Sequence, residues 1–538
     1  MKDFSFHTRQ QNIKKLRNEV FDLLIIGGGI TGAGVARDAA ARGLKVALIE
    51  AKDFSYGTSS RSSKLIHGGI RYLENMEFKL VFEALNERTR LFEISPHLVH
   101  PLRFMIPLFS DSRVGMFKMG LGMWLYDALS LFQTPEMHER LDAIDSMDRM
   151  PILKSENLKG SFIYSDAYMD DDRLVHETLR SANEFDAIAV NYVSAIKSNF
   201  QTIDQQTKIK SVEVVDQLNQ NKFVIQTQHV VCSVGPWTDL VGEKLVDDWK
   251  KLLRPTKGIH LTFSKERIPL TSAVVMAAQK GERIVFAIPR HEMVIIGTTD
   301  TDFKDNPDSV KVEKSDVIYL LEIANQYFPG AQLTEADIIS CYSGVRPLVK
   351  DDSENEGKTS REHIIKNDDR GFTFVAGGKY TTYRLMAEQI VDGCIQFLSF
   401  EKKTSLKKCQ TTEALNKYTT VDAYHEAQIS AENEIQKKLA DRYGKENQVI
   451  LDKYGYTDNY WCLEAYQAIF TTMCLNLTDF YTRRVPLFLA EKDHGLKHLE
   501  DIAQVFKEQL SLTDQQIQKQ IDDLKNYIKT ELAWKSLD

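Results

Sequence analysis

Six consecutive positions, Gly27-x-Gly29-x-x-Gly32, constrain this chain more than any other stretch of its 538 residues. They lie between the apolar run Phe21 to Ile26 and an alanine-rich segment ending at Arg42, which a second apolar run, Lys45 to Glu50, follows. Strand, glycine turn, helix and strand in that order read as a βαβ unit. Gly27 permits the tight turn, Gly29 lets a pyrophosphate approach the backbone, and Gly32 lets helix and strand pack closely. The N–H groups at Ile30 and Thr31 then open the helix toward the phosphates. Glu50 ends the second strand about twenty residues on, where a carboxylate accepts hydrogen bonds from ribose hydroxyls and disfavours a 2′-phosphate. A dinucleotide is therefore the expected ligand.

The turn alone does not choose between NAD and FAD, because both present the same adenosine ribose and pyrophosphate. Two further segments favour a flavin. Gly57 to Glu74 is rich in backbone and hydroxyl donors, with Thr58, Ser59, Ser60, Ser63, Lys64 and Leu65 placed to line a flavin ring. Gly377 and Gly378 follow the strand-like run Phe372 to Ala376 and precede Lys379 and a helical run from about Thr381. The positive end of that helix, with Lys379, suits the negative charge a reduced flavin develops near N1 and O2.

Composition narrows the remaining choices. Lys plus Arg number 68 against 76 Asp plus Glu, a net charge of -8, which argues against a chain built to neutralise nucleic-acid phosphates. The six cysteines have no CxxC spacing, so neither a zinc site nor a disulfide framework is indicated, and no metal is expected. The first twenty residues lack an apolar core, so no secretory signal is expected and the cytoplasm is the default. The most apolar stretch, Val114 to Phe132, is interrupted by Lys118, Asp127 and three glycines, which makes a membrane span improbable. Surface docking there would use Met116, Phe117, Met119, Met123 and Trp124. Strand-like runs (Lys222 to Gln226, Val230 to Val234, Ile284 to Ile288, Met293 to Ile296) continue to about residue 395, after which the apolar spacing is helical. The expected architecture is α/β: an FAD-binding Rossmann-like body interleaved with a mixed-sheet substrate domain over 1–401, then a helical cap over 402–538. Lys402 to Thr411 is the expected linker. Asp170 to Asp172 read as a helix N-terminus.

The motifs GGGITGAG, SSKLIHGGIRYLE, YSGVRPL and GGKYTTYR, with LTDFYTRRVPLFL further on, resemble the FAD-dependent, quinone-linked sn-glycerol-3-phosphate dehydrogenase family. The resemblance covers residues 20 to 395 in motif order, and the last motif resembles that family's cap. It departs at Tyr380, where the family usually has Leu, and at Cys232-Ser233-Val234 before Gly235-Pro236-Trp237. It implies noncovalent FAD, with Gly235 also at the cofactor, and oxidation of sn-glycerol 3-phosphate to dihydroxyacetone phosphate. It further implies electron transfer to a membrane quinone, peripheral attachment to the inner face of the cell membrane, and a homodimer.

A phosphate dianion needs cations with fixed donor geometry. By the resemblance Arg71, Arg346 and Arg361 converge on it, with Tyr72 beside Arg71. Oxidising the secondary alcohol requires a base at its hydroxyl while the C2 hydrogen leaves as hydride toward flavin N5. His67 and His260 are the candidates, with Lys379 able to orient the oxygen or act as base. Three alternatives stay open: an oxidase of the same family delivering electrons to oxygen, another FAD-dependent amine or hydroxy-acid oxidase, and a scaffold in which the flavin is structural.

Overall fold

The structure, a computed structural model, describes residues 1–278, 283–350, 363–455 and 459–536. After α1 (Phe6–Asn18) comes the βαβ unit: β1 (Val20–Ile26), α2 (Ile30–Ala41) and β2 (Val46–Ile49). β1 is buried beyond its first residue and β2 throughout, as parallel strands covered on both faces must be. Next are β3 (Leu65–Ile66), α3 (Phe78–Ile94), β4 (Val99–Phe109), α4 (Met116–Leu129), β5 (Glu139–Leu141), α5 (Ala143–Arg149), β6 (Leu158–Met169) and α6 (Asp171–Glu184). The chain continues through β7 (Ile188–Val190), β8 (Val193–Ile203), β9 (Gln206–Asp216), β10 (Lys222–Cys232), α7 (Thr238–Leu245), β11 (Thr256–Ser264) and β12 (Ala273–Ala278). Then come β13 (Arg283–Arg290), β14 (Met293–Gly297), β15 (Thr301–Asp302), α8 (Lys314–Tyr327), β16 (Ser340–Arg346), β17 (His363–Asp368), β18 (Phe372–Gly377) and α9 (Tyr383–Ile395). The rest of the described chain is helical: α10 (Phe400–Ser405), α11 (Val421–Ser430), α12 (Glu434–Tyr443), α13 (Glu446–Tyr454), α14 (Tyr460–Thr471), α15 (Leu477–Arg483), α16 (Leu487–Ala490), α17 (Leu499–Gln509) and α18 (Asp514–Glu531).

The strands form two sheets. One runs β17-β18-β10-β1-β2-β7, parallel from β18 to β7, with the β8 and β9 hairpin attached to β10. The other runs β15-β11-β14-β13-β12-β4-β6-β3, with β16 beside β11 and β5 beside β6, and is antiparallel except where β12 meets β4. Its strands come from two stretches of sequence, 65–169 and 256–346, set between strands of the first sheet, so the two units interleave as the sequence led us to expect. α2, α6 and α9 pack together over β1 in one apolar core. Gly34 makes this close approach possible, since a Cβ there would lie 3.0 Å from Tyr383. The second sheet buries its own core against α8, and α14 to α18 enclose a third.

Two local expectations need correction, and a third is met. The two runs expected around residues 222 to 234 are one strand, β10, whose first half pairs with β9 and second half with β1. The polar residues between them stay in the ladder because Thr227 donates to the His229 carbonyl at 2.8 Å and the buried His229 ring meets Thr373 Oγ1 at 2.8 Å. The segment Lys402 to Thr411 is not a loose linker. Lys407 N–H donates to the Arg42 carbonyl at 3.0 Å, Cys409 to Asp38 at 2.8 Å, and Arg37 to the Thr411 carbonyl at 2.7 Å, so it satisfies groups at the end of α2. Asp170 to Asp172 begin α6 as expected, with Asp171 and Asp172 in its first turn and no side-chain cap bond from Asp170. Asp170 accepts from Arg173 at 2.9 Å and from Arg290; burial would raise its carboxyl, yet Arg290 and His291 hold it well below the usual range.

Burial lowers the His229 imidazole to about 4. The unfolded chain takes this proton near pH 6.5 and the folded chain does not until about pH 4, so His229 removes stability as pH falls through that window. Phe in its place keeps the stack on Phe397, whose centroid lies 4.8 Å away. His229→Phe is therefore expected to lose about 2 kcal/mol less stability than the wild type between about pH 7.5 and pH 5. Urea unfolding at both pH values checks this; parallel losses in the two proteins would discount the histidine.

Candidate active site

A cavity of about 740 Å³ runs along the carboxyl ends of the parallel strands and under the second sheet, toward the upper end of the range for ligand sites. The glycine turn forms part of its wall. Gly27 adopts φ +112° and a Cβ there would sit 2.5 Å from the Ser233 carbonyl oxygen. A Cβ on Gly32 would sit 1.9 Å from the Gly27 carbonyl oxygen, so only hydrogen fits between α2 and the turn. Gly27, Gly29, Ile30, Thr31 and Glu50 line the wall. Glu50 accepts from Gly28 N–H at 2.7 Å and Lys52 N–H at 2.9 Å, while burial raises its carboxyl. Ser59 Oγ accepts from Ile30 N–H at 3.0 Å and so ties the Gly57 to Glu74 segment to the start of α2. Thr58, Ser59, Ser63, Leu65, Gly235, Gly378, Lys379 and Thr381 also line the cavity.

The cavity also meets His67, Tyr72, His260, Arg346 and Lys379. Thr381 Oγ1 bonds both the N–H and the carbonyl of His67, each at 3.2 Å, which joins the β3 turn to the start of α9. Lys379 Nζ lies 3.6 Å from the centre of the Tyr72 ring. His260 stacks on Tyr342 with centroids 4.7 Å apart, and its Nε2 is 2.9 Å from Ser63 Oγ. Burial, then Arg346 and Lys64, lower its imidazole well below 6.5, so the ring is neutral at pH 7 and retains a lone pair. Gly258 leaves room for the Arg346 guanidinium, which a Cβ would meet at 2.3 Å. That guanidinium donates to Asp300 at 3.0 Å, Thr298 Oγ1 at 2.7 Å and the Thr299 carbonyl at 3.1 Å. Arg346 therefore reaches the cavity with its plane already oriented.

Other expected residues lie elsewhere. Gly32 sits beneath the turn, and Ser60 and Arg71 are not on the cavity wall. Lys64 has left-handed φ (+56°) and turns its buried ammonium to Asp171, away from the cavity. Arg361 lies outside the described residues. Conversely, Tyr56, Arg61, Val193, Trp237, Leu240 and Lys244 line the cavity without having been singled out as cofactor residues. Arg61 lies within the Gly57 to Glu74 segment and Trp237 two residues past Gly235. Val193, Leu240 and Lys244 come from the start of β8 and from α7, where no motif signals a nucleotide. Of the two departures, Tyr380 reaches past the cavity wall to the Asp171 carbonyl, and Cys232 is buried at the end of β10.

The cavity thus joins a dinucleotide turn to a cluster of histidine, lysine and arginine, the arrangement of a dinucleotide-dependent oxidoreductase. Residues 22–384 match the model of the FAD dependent oxidoreductase family. An aerobic glycerol-3-phosphate dehydrogenase of Staphylococcus aureus is 33% identical over 97% of each chain. The structure of the glycerol-3-phosphate dehydrogenase from Bacillus halodurans complexed with FAD superposes with TM-score 0.78 at 28% identity, covering 98% of both chains. The L-alpha-glycerophosphate oxidase of Mycoplasma pneumoniae shares the fold, with TM-score 0.54 at 17% identity over 72% of this chain and 96% of its own. The chain belongs to the FAD-dependent oxidoreductases, and among them to the aerobic glycerol-3-phosphate dehydrogenase family.

Proposed function

We propose that the chain oxidises sn-glycerol 3-phosphate to dihydroxyacetone phosphate and passes the electrons to a membrane quinone. The observation that carries this reading is the single cavity that connects the glycine turn to His67, His260, Arg346 and Lys379. FAD fits the first part: the tight turn that glycine at 27 and 32 allows sets Gly29, Ile30 and Thr31 on the cavity wall, and Glu50 stands at the end of β2. When bound, FAD supplies the hydride acceptor for the C2 hydrogen. In this reading the α2 N-terminus at Gly29 to Thr31 holds the pyrophosphate, Glu50 the ribose, and Gly378, Lys379 and Thr381 the far end of the cofactor. Arg346 binds the phosphate in a plane that Asp300 and Thr298 fix, while Tyr72 lines the same cavity with Lys379 over its ring.

His67 or His260 takes the hydroxyl proton. Its neutral state fits His260 for the task without prior loss of a proton. Anaerobic titration with sn-glycerol 3-phosphate, with glycerol as control, tests the whole reading. Bleaching of the oxidised flavin by the ester alone is the expected result; an unchanged spectrum would refute it. Quinone and oxygen are then compared as oxidants of the reduced protein, with hydrogen peroxide release as the mark of an oxidase.

The membrane part of the reading rests on α4. No helix among the described residues is long and apolar enough to cross a bilayer. α4 nevertheless exposes Phe117, Leu121, Trp124 and Leu125, and Leu131 and Phe132 extend the patch. Its face differs from the expected one, since Met123 is fully buried and Met116 and Met119 pack partly inward. Tyr126, on the buried side, donates to Asp166 at 2.8 Å and accepts from Gly68 N–H at 3.0 Å, which sets the helix beside the His67 turn. An apolar stripe lying in the headgroup region would attach the protein to the inner face of the cell membrane and meet a lipid-dissolved quinone near the flavin. Leu121→Glu with Trp124→Glu is expected to lower binding to lipid vesicles at least about tenfold with flavin content unchanged. Equal flotation of variant and wild type would refute α4 as the contact. A second copy of the chain completes the set of partners in this reading, and light scattering tests it.

A further inference from the structure

The loop between β2 and the cavity is held from behind by two arginines of the helical C-terminal region. Asp53, three residues past Glu50, is fully buried. Its carboxylate receives both nitrogens of the Arg484 fork, at 2.8 and 2.9 Å, and Arg483 Nε at 2.9 Å. Asn191 Nδ2 approaches it at 3.3 Å. Arg484 is itself fixed by Thr472, which accepts through Oγ1 at 2.8 Å and its carbonyl at 3.1 Å. Arg483 pairs with Asp479 and lies 5.4 Å from the centre of the Tyr56 ring. A bidentate guanidinium and carboxylate in a dry setting defines one geometry for both partners.

The residues next to Asp53 build the dinucleotide turn. Phe54 packs against Gly28, where a Cβ would sit 2.7 Å from its ring, and Ser55 N–H donates to the Gly28 carbonyl at 3.0 Å. Tyr56 lines the cavity, and Ser59 binds Ile30 N–H at the start of α2. Displacing Asp53 would therefore move the loop that shapes the pyrophosphate end of the cavity. The geometry points to Arg483, Arg484 and Asp53 as a positioning clamp through which the C-terminal helices set the retention of FAD. Coupling of this kind is reciprocal, so a bound flavin also steadies α15. The inference rests on the FAD reading of the cavity.

The control is a second buried ion pair that joins the same two regions without touching the loop. Arg180 of α6 donates to Glu177 at 2.8 Å and to Glu446 of α13 at 3.1 Å. FAD release from the holoenzyme on dilution, followed by the rise of flavin fluorescence well below the unfolding temperature, compares wild type, Asp53→Asn, Arg484→Lys and Arg180→Gln. Asp53→Asn and Arg484→Lys are expected to release FAD at least about tenfold faster, because neither keeps the bidentate fork on a carboxylate. Arg180→Gln is expected to release at the wild-type rate even with a lower Tm. In the wild type, FAD is expected to slow amide exchange across Leu477–Arg483. Arg484→Lys releasing at the wild-type rate, Arg180→Gln releasing as fast as the clamp variants, or exchange in α15 indifferent to FAD would each overturn the clamp. A wild-type protein that holds no FAD would overturn the cofactor reading, and the clamp with it.

Discussion

Gly32→Val is expected to give a protein that carries no flavin. The substituent would begin 1.9 Å from the Gly27 carbonyl oxygen and 2.8 Å from Ser233 Oγ, and the first of these is backbone that cannot turn aside. Gly27 cannot yield easily, since its φ of +112° is open to glycine alone and its Cα faces the Ser233 carbonyl. Forcing atoms into such a contact costs on the order of 1–3 kcal/mol or more, taken here at the turn that forms the cofactor site. Gly29→Ala is the instructive contrast. Its Cβ would meet only the Ser59 side chain, whose Oγ at 3.0 Å is able to rotate, so the fold is expected to survive with weaker FAD retention. The visible flavin absorbance of each purified variant decides the matter. A folded, fully flavinylated Gly32→Val would refute the steric argument.

Arg346→Ala is expected to lower kcat/KM for sn-glycerol 3-phosphate about a hundredfold, equivalent to roughly 2.7 kcal/mol, with FAD content unchanged. The size follows from losing charge-assisted hydrogen bonds worth about 1.5–3 kcal/mol each. The full value of a bidentate fork is not expected, because Asp300 already engages Nη1 and Thr298 engages Nη2. The loss is expected mainly in KM, with the slow reaction of glycerol little affected. Steady-state kinetics on both substrates test this, and unchanged kinetics with the phosphate ester would remove Arg346 from the site.

The dinucleotide turn was legible because its reasons are local. Gly32 is required by the Gly27 carbonyl in the same turn and Gly27 by its own φ of +112°, and β1, α2 and β2 fall where the glycines and apolar runs put them. The start of α6 at Asp171 and of α9 after Gly378 was legible on the same grounds. The direction of a side chain was not. Lys64 stands among serines that line the cavity, yet its own left-handed backbone and the reach of Asp171 turn it inward. Met123 belongs to an apolar run, but the helical period, fixed by Tyr126 on Asp166, buries it and exposes Leu121 and Leu125 instead.

By itself the sequence determined the βαβ unit, the second glycine turn, the switch from strands to helices after α9, and the family, since each rests on residues adjacent in the chain. Tertiary structure alone decided what meets what. It brought His67, His260, Arg346 and Lys379 to one cavity from four separate stretches, and it set Arg484 on Asp53 across more than four hundred residues. Such pairings depend on how sheets twist and cores close, and a one-dimensional pattern carries periodicity and turn chemistry but no distances between remote residues.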